Sequence, residues 1–218
     1  NIRTRQLRHL FAIDPALGKT VAQALGLPEQ EPTEAPAQDV QASPALTQVG
    51  ETWPVEGRQV GILVGPDTDA DQLATLVSEI DGADMVPLVI APQGGEVAPG
   101  IVAHRTLLTA RSIEFDAVVV ATAGAPVNPV AGGLDAKAGA PSPGDIDPRV
   151  SLLLNEMWRH AKAIAAFGPG TDVLDALQIA QTPGVVSADS AKDVLSTVVE
   201  LLGSHRVWER FPTTGMLA

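Results

Sequence analysis

Residues 162–174 read Lys-Ala-Ile-Ala-Ala-Phe-Gly-Pro-Gly-Thr-Asp-Val-Leu. Residues 163–167 form a short apolar run, Gly168-Pro169-Gly170 is a sharp turn, and a helix is expected from Thr171 or Asp172. This is the layout of a nucleophile elbow, in which a strained strand-to-helix turn lifts a reactive side chain into a pocket. The tip of the turn is Gly168, which has no side chain, and the 218 residues contain no cysteine. The stretch therefore predicts the architecture of a catalyst with its chemistry removed.

Working outward, residues 57–211 alternate strand and helix signals. Residues 60–64, 85–90, 117–121 and 163–167 are continuous apolar runs, the mark of strands buried on both faces of a parallel sheet. A short strand is expected near 184–187. Leu73, Leu76, Val77 and Ile80 form the face of one helix, stopped by Gly82. Val150, Leu153, Leu154, Met157, Trp158 and Ala161 form a second, opened by Asp147-Pro148. Ala191, Val194, Leu195, Val198, Leu201 and Leu202 form a third, ended by Gly203. This order predicts an α/β fold, a doubly wound parallel sheet with helices on both faces. Residues 96–98 and 104–109 read as small extra strands at one edge. Residues 132–145, rich in Gly, Pro and Ala, read as a long surface loop.

The upstream part differs in composition. Residues 1–27 are basic and apolar, with Arg3, Arg5, Arg8 and Lys19 against Asp14. Asp14-Pro15 reads as a helix cap and first turn, and Gly26 as the stop. Residues 28–56 hold five prolines and six acids with no Lys or Arg, and read as an extended linker. The domains expected are thus 1–27, a helical segment, 28–56, a linker, and 57–218, the α/β domain. The chain begins with Asn, so a piece of a longer polypeptide is expected. The net charge of −12 repels phosphate backbones and argues against nucleic acid as a partner. No apolar run approaches the roughly 20 residues a membrane span needs, and no signal peptide is visible, so no membrane partner is expected.

Ligands of an open α/β sheet sit beyond the carboxyl ends of its strands. Here those ends are Gly65-Pro66-Asp67-Thr68-Asp69, Thr122-Ala123-Gly124-Ala125 and Phe167-Gly168-Pro169-Gly170-Thr171. Asp67, Asp69 and Asp71 favour a helix N-terminus and repel a phosphate, which argues against a flavin or mononucleotide site. The acids lack the glycine and closing glutamate of a calcium loop. Thr171 lies past the elbow tip, Ser151 starts a helix, and His160 reads as a helix-end residue; no Gly-x-Ser-x-Gly occurs. No catalytic residue, cofactor-binding residue or metal ligand is expected. Trp53, Trp158, Trp208 and Phe211 read either as satellite core or as an inter-domain or inter-subunit contact.

Asp14-Pro15, Leu17-Gly18, Val21-Ala22 and Leu25-Gly26-Leu27-Pro28 resemble the end of the helical region of large-subunit (clade 2 type) monofunctional haem catalases. Ser43-Pro44-Ala45-Leu46, residues 57–64, residues 115–120 and residues 162–168 resemble their link and C-terminal domain. The resemblance implies a flavodoxin-like domain of the class I glutamine amidotransferase-like superfamily. Active members of that superfamily carry a cysteine where Gly168 stands and an acid near the position of Asp69. A vestigial pocket is thus expected at Asp69, Gly124, Gly168, Pro169, Gly170 and Thr171. The resemblance also implies a non-catalytic role in a cytoplasmic, tetrameric, peroxide-disproportionating enzyme whose haem lies upstream. Its implied partners are the catalase core and neighbouring subunits, with unfolded client proteins if the domain has chaperone-like activity. The alternative is a stand-alone hydrolase or glyoxalase-like enzyme using Thr171, His160 or Asp69.

Overall fold

The structure, a computed structural model, describes residues 2–30, 50–123 and 142–211. The chain divides into two compact units, one containing residues 1–48 and the other residues 49–211. Residues 50–56, read from sequence as linker, therefore belong to the larger unit.

The smaller unit contains two helices, α1 (Ile2–Ile13) and α2 (Pro15–Ala24). Asp14 separates them and caps the second, its carboxylate accepting from Ala16 N at 2.7 Å and Leu17 N at 3.3 Å. Leu7, Phe11 and Ala22 form its small core, with Leu10, Val21 and Leu27 packed on them. The helical segment expected over residues 1–27 is thus two helices, the first carrying Leu7, Leu10 and Phe11 on one face.

The larger unit is built on β1 (Gln59–Leu63), β2 (Val86–Ala91), β5 (Arg105–Thr106), β6 (Ala117–Val120), β7 (Ala163–Phe167) and β8 (Val185–Ala188). They pair in the order β5-β2-β1-β6-β7-β8, every pair parallel. Leaving aside the edge strand β5, this is the flavodoxin-like order. The expected edge strands divide: β3 (Glu96–Ala98) and β4 (Ile101–Val102) make a separate antiparallel ribbon, and only β5 joins the sheet.

Alternation along the strands supplies two cores. Val60, Ile62, Val119, Ala165 and Phe167 face α3 (Ala70–Gly82) and α6 (Ala191–Gly203), meeting Leu73, Leu76, Ile80, Val194 and Val198. Leu63, Val118, Val120, Ile164 and Ala166 face the other way, toward α4 (Pro148–Arg159) and α5 (Gly170–Ala176). Phe115, Leu154, Met157, Val173 and Leu174 complete that second core. Neither helix pair can bury its stripe alone, so the sheet and its two coverings form together.

Beneath the amino ends of β6 and β7, Lys162 is buried and donates to Ser112 O and Phe115 O, both at 2.6 Å. Arg210 donates from Nε to Pro183 O at 2.6 Å and from Nη1 to Trp158 O and Lys162 O, tying the end of the described chain back to β7. Burial lowers the Arg210 guanidinium to about 10. Trp158 donates to Thr182 Oγ1 at 2.9 Å, and Trp208 packs against Phe211 with ring centroids 5.6 Å apart.

Candidate functional site

Strand order reverses between β1 and β6, and a doubly wound sheet opens its ligand crevice at that point. In this chain the crevice is bridged by its own side chains. Asp67, the fourth residue of the β1–α3 loop, accepts from Thr122 Oγ1 at 2.5 Å and from Ala123 N at 2.8 Å. Thr68 Oγ1 accepts from Gly65 N and donates to Ala121 O, each at 2.9 Å. The space below is equally taken: a Cβ built on Gly65 would stand 2.4 Å from Thr122 Oγ1. A backbone N–H that a phosphate would need, that of Ala123, is already held by a carboxylate.

Asp69 has a different occupation. It caps α3, with Oδ1 accepting from Gln72 N at 2.9 Å, and Asp71 lies in the same first turn. The acid that reaches across the strand ends is Asp67. Sequence spacing did not separate the two, because both follow β1 closely and only the path of the loop decides which one turns toward β6.

The elbow follows β7. Gly168 has φ +52°, the left-handed region that side-chain-bearing residues enter at a cost, and a Cβ there would meet none of the described residues within 4 Å. Pro169 follows in helical conformation and α5 begins at Gly170, one or two residues earlier than the composition suggested. Thr171 closes the turn on itself: its N and Oγ1 both bond Gly168 O, at 3.3 Å and 2.9 Å. Gly170 is buried, and its Cα faces the backbone of β6, where an added Cβ would fall 2.0 Å from Val120 O. The turn is thus pressed onto the neighbouring strand while its tip opens outward. Gly124, which the sequence placed on the loop after β6, lies outside the described residues.

No base is supplied to that tip by the histidines of this unit. His160 ends α4, just before β7 begins, at the opposite end of the strands. His205 bonds Arg58, which precedes β1, at that same opposite end. His104 is committed at the sheet edge, its Nδ1 accepting from Val89 N at 3.1 Å. Among the described residues, no group of three or more His, Asp or Glu is placed to hold a metal ion. None of the described helices is long and apolar enough to cross a membrane.

Gly168→Cys tests whether the tip of the turn has room for a side chain. The open space predicts a folded variant, destabilised by about 1–2 kcal/mol for the left-handed backbone. Its thiol is expected to be alkylated fully by a maleimide, yet to give no acyl-enzyme burst with an activated ester, since among the described residues no histidine adjoins it.

These features define a doubly wound α/β domain of flavodoxin-like order, with a tight glycine turn after β7. Residues 56–212 match the family described as the C-terminal domain found in long catalases, and the chain belongs to that family. It is 30% identical to Catalase C of Rhizobium meliloti (strain 1021), over 97% of this chain and 30% of that protein. It is also 30% identical to Catalase HPII of Mycobacterium avium, over 96% of this chain and 30% of that one. With Catalase-B of Dictyostelium discoideum the identity is 23%, over 96% of this chain and 30% of the relative. The chain therefore spans about 30% of the length of the curated relatives it matches.

Proposed function

We propose that the chain serves as a non-catalytic C-terminal domain of a haem catalase that disproportionates hydrogen peroxide, adding subunit stability and shaping access to the haem channel. The observation that carries this reading is the turn after β7, which keeps elbow geometry and an open tip but places glycine at the tip. The bridge of Asp67 to Thr122 and Ala123 supports it, because a crevice closed by internal hydrogen bonds gains rigidity and gives up ligand space. A stand-alone hydrolase or glyoxalase gains no support from relatives that are catalases.

The residues present do not fit a haem. The chain has no tyrosine or cysteine to ligate iron, and in the larger unit the His104 and His205 rings are already hydrogen-bonded while His160 ends α4. Haem chemistry is therefore assigned to the part of the relatives' length outside this chain. The catalase core and neighbouring subunits are its proposed partners. A client-holding, chaperone-like role draws on Leu108, Ile113 and Leu152, which are 66%, 84% and 59% exposed. Failure to slow aggregation of a heat-stressed protein at equal mass removes that role.

The test separates activity from durability. The isolated chain is expected to release no oxygen from peroxide. The parent enzyme cut before this domain is expected to keep its initial rate within about twofold while losing activity faster on heating. Oxygen evolution by the isolated chain, or unchanged heat inactivation of the cut enzyme, would refute the assignment.

A further inference from the structure

We propose that His205 is the pin of an acid-released latch that holds residues 50–58, the segment leading into β1, against the end of α6. The segment is tied there by three contacts. Trp53 N donates to Gly203 O at 2.7 Å, the Trp53 ring lies 6.2 Å from the His205 ring, and Arg58 Nη1 stands 3.0 Å from His205 Nδ1. Residue separations of about 150 along the chain make this a closure between the start and the end of the unit.

The chemistry of the pin follows from its neighbours. Arg58 is only a donor, so Nδ1 of His205 must be the acceptor, which assigns the neutral ring with its proton on Nε2. The charged groups facing the ring are Arg58 from the entering segment, Arg206 from its own turn and Asp116 from the start of β6. Asp116 does not offset a second cation freely: Oδ1 takes Arg58 at 3.1 Å and Oδ2 takes Gln59 N at 2.9 Å. Arg206 Nη1 lies 3.5 Å from Nδ1 and donates to His205 O at 2.8 Å. Protonation of Nδ1 replaces an acceptor by a donor, opposite a guanidinium donor, between two fixed positive charges.

The ring is also held against its backbone preference. His205 has φ +64°, a left-handed conformation that a residue with a Cβ adopts only at a cost. Once the bond to Arg58 is lost, the backbone has reason to relax, and Trp53 loses the ring it rests on. Burial, then Arg206 and Arg58, push the His205 imidazole below its ordinary value, against Asp116. A folded-state value below the unfolded one means that the latch contributes its full stability above the ordinary histidine range. It is lost as pH falls through the lower, folded-state value. The segment is the covalent route from all upstream residues to the sheet, so the latch sets how firmly that route is fixed.

The test uses the full 218-residue chain and hydrogen exchange of amides 50–58, corrected for intrinsic rates, between about pH 7.5 and about pH 4.5. Protection is expected to fall about tenfold through a midpoint below 6.5, while amides of β1 and β6 hold theirs. His205→Asn keeps an acceptor, tolerates the left-handed backbone and does not titrate; its protection is expected to stay flat with pH. In the unsubstituted chain, the His205 ring protons are expected to titrate with the same midpoint, which needs no variant to fold. Flat protection in the parent chain, an equal fall in His205→Asn, or a His205 midpoint at or above 6.5 would overturn the latch.

Discussion

Gly170→Val is expected to lower the stability of the sheet unit by about 3 kcal/mol or more, with a fall in melting temperature near 10 °C. A Cβ at this position would lie 2.0 Å from Val120 O and 2.6 Å from its carbonyl carbon. This neighbour is backbone of a central strand, paired with β1 on one side and β7 on the other, so it has nowhere to move. Relief must come from α5 lifting off the sheet, which exposes Val173 and Leu174 from the second core. Chemical denaturation of Gly170→Val beside Gly168→Val measures the difference. The second substitution meets open space and is expected to cost only its backbone strain, so equal losses would show that contact with β6 is not what requires glycine.

Lys162→Met is expected to cost about 3 kcal/mol. The two carbonyls that Lys162 serves, Ser112 O and Phe115 O, lie at the buried corner where the chain turns into β6. Methionine fills the volume and leaves Phe115 O without this partner, while Ser112 O keeps only the long bond from Phe115 N at 3.4 Å; an unsatisfied buried acceptor costs about 1–3 kcal/mol. Burial, then the nearby Arg206, lower the Lys162 ammonium below its ordinary value, against Asp116. Thermal unfolding across the pH range checks the point. A loss below about 1 kcal/mol would mean that the carbonyls find other donors and that the lysine is dispensable.

Both predictions fall within residues 162–174, the stretch from which the fold was first legible. Its apolar run became β7, and its glycine turn became the elbow, because a run flanked by breakers has few ways to be buried. The stripes at residues 73–80, 150–161 and 191–202 became α3, α4 and α6 for the same reason: periodicity is a local property. Where a competing local signal intervened, the reading failed. The prolines and acids of residues 50–56 read as linker although Trp53 N is bonded to Gly203 O of α6.

The residues that shape the candidate site were less accessible. Asp69 and Asp67 are both acids just past β1, and composition treats them alike. One became a helix cap and the other crosses to Thr122, 55 residues away, because the loop conformation aims their side chains differently. The latch is farther still from local signals, since Arg58 and His205 are 147 residues apart.

From its residues alone this chain specified a parallel α/β sheet and a turn with no reactive atom at its tip, because strand runs, helix stripes and the identity of Gly168 are properties of short segments. Tertiary structure alone decided that the crevice is closed by Asp67, that Gly170 cannot carry a side chain, and that His205 meets Arg58. Each of these depends on which distant strand end or helix end arrives alongside, and that is set by the packing of the whole sheet.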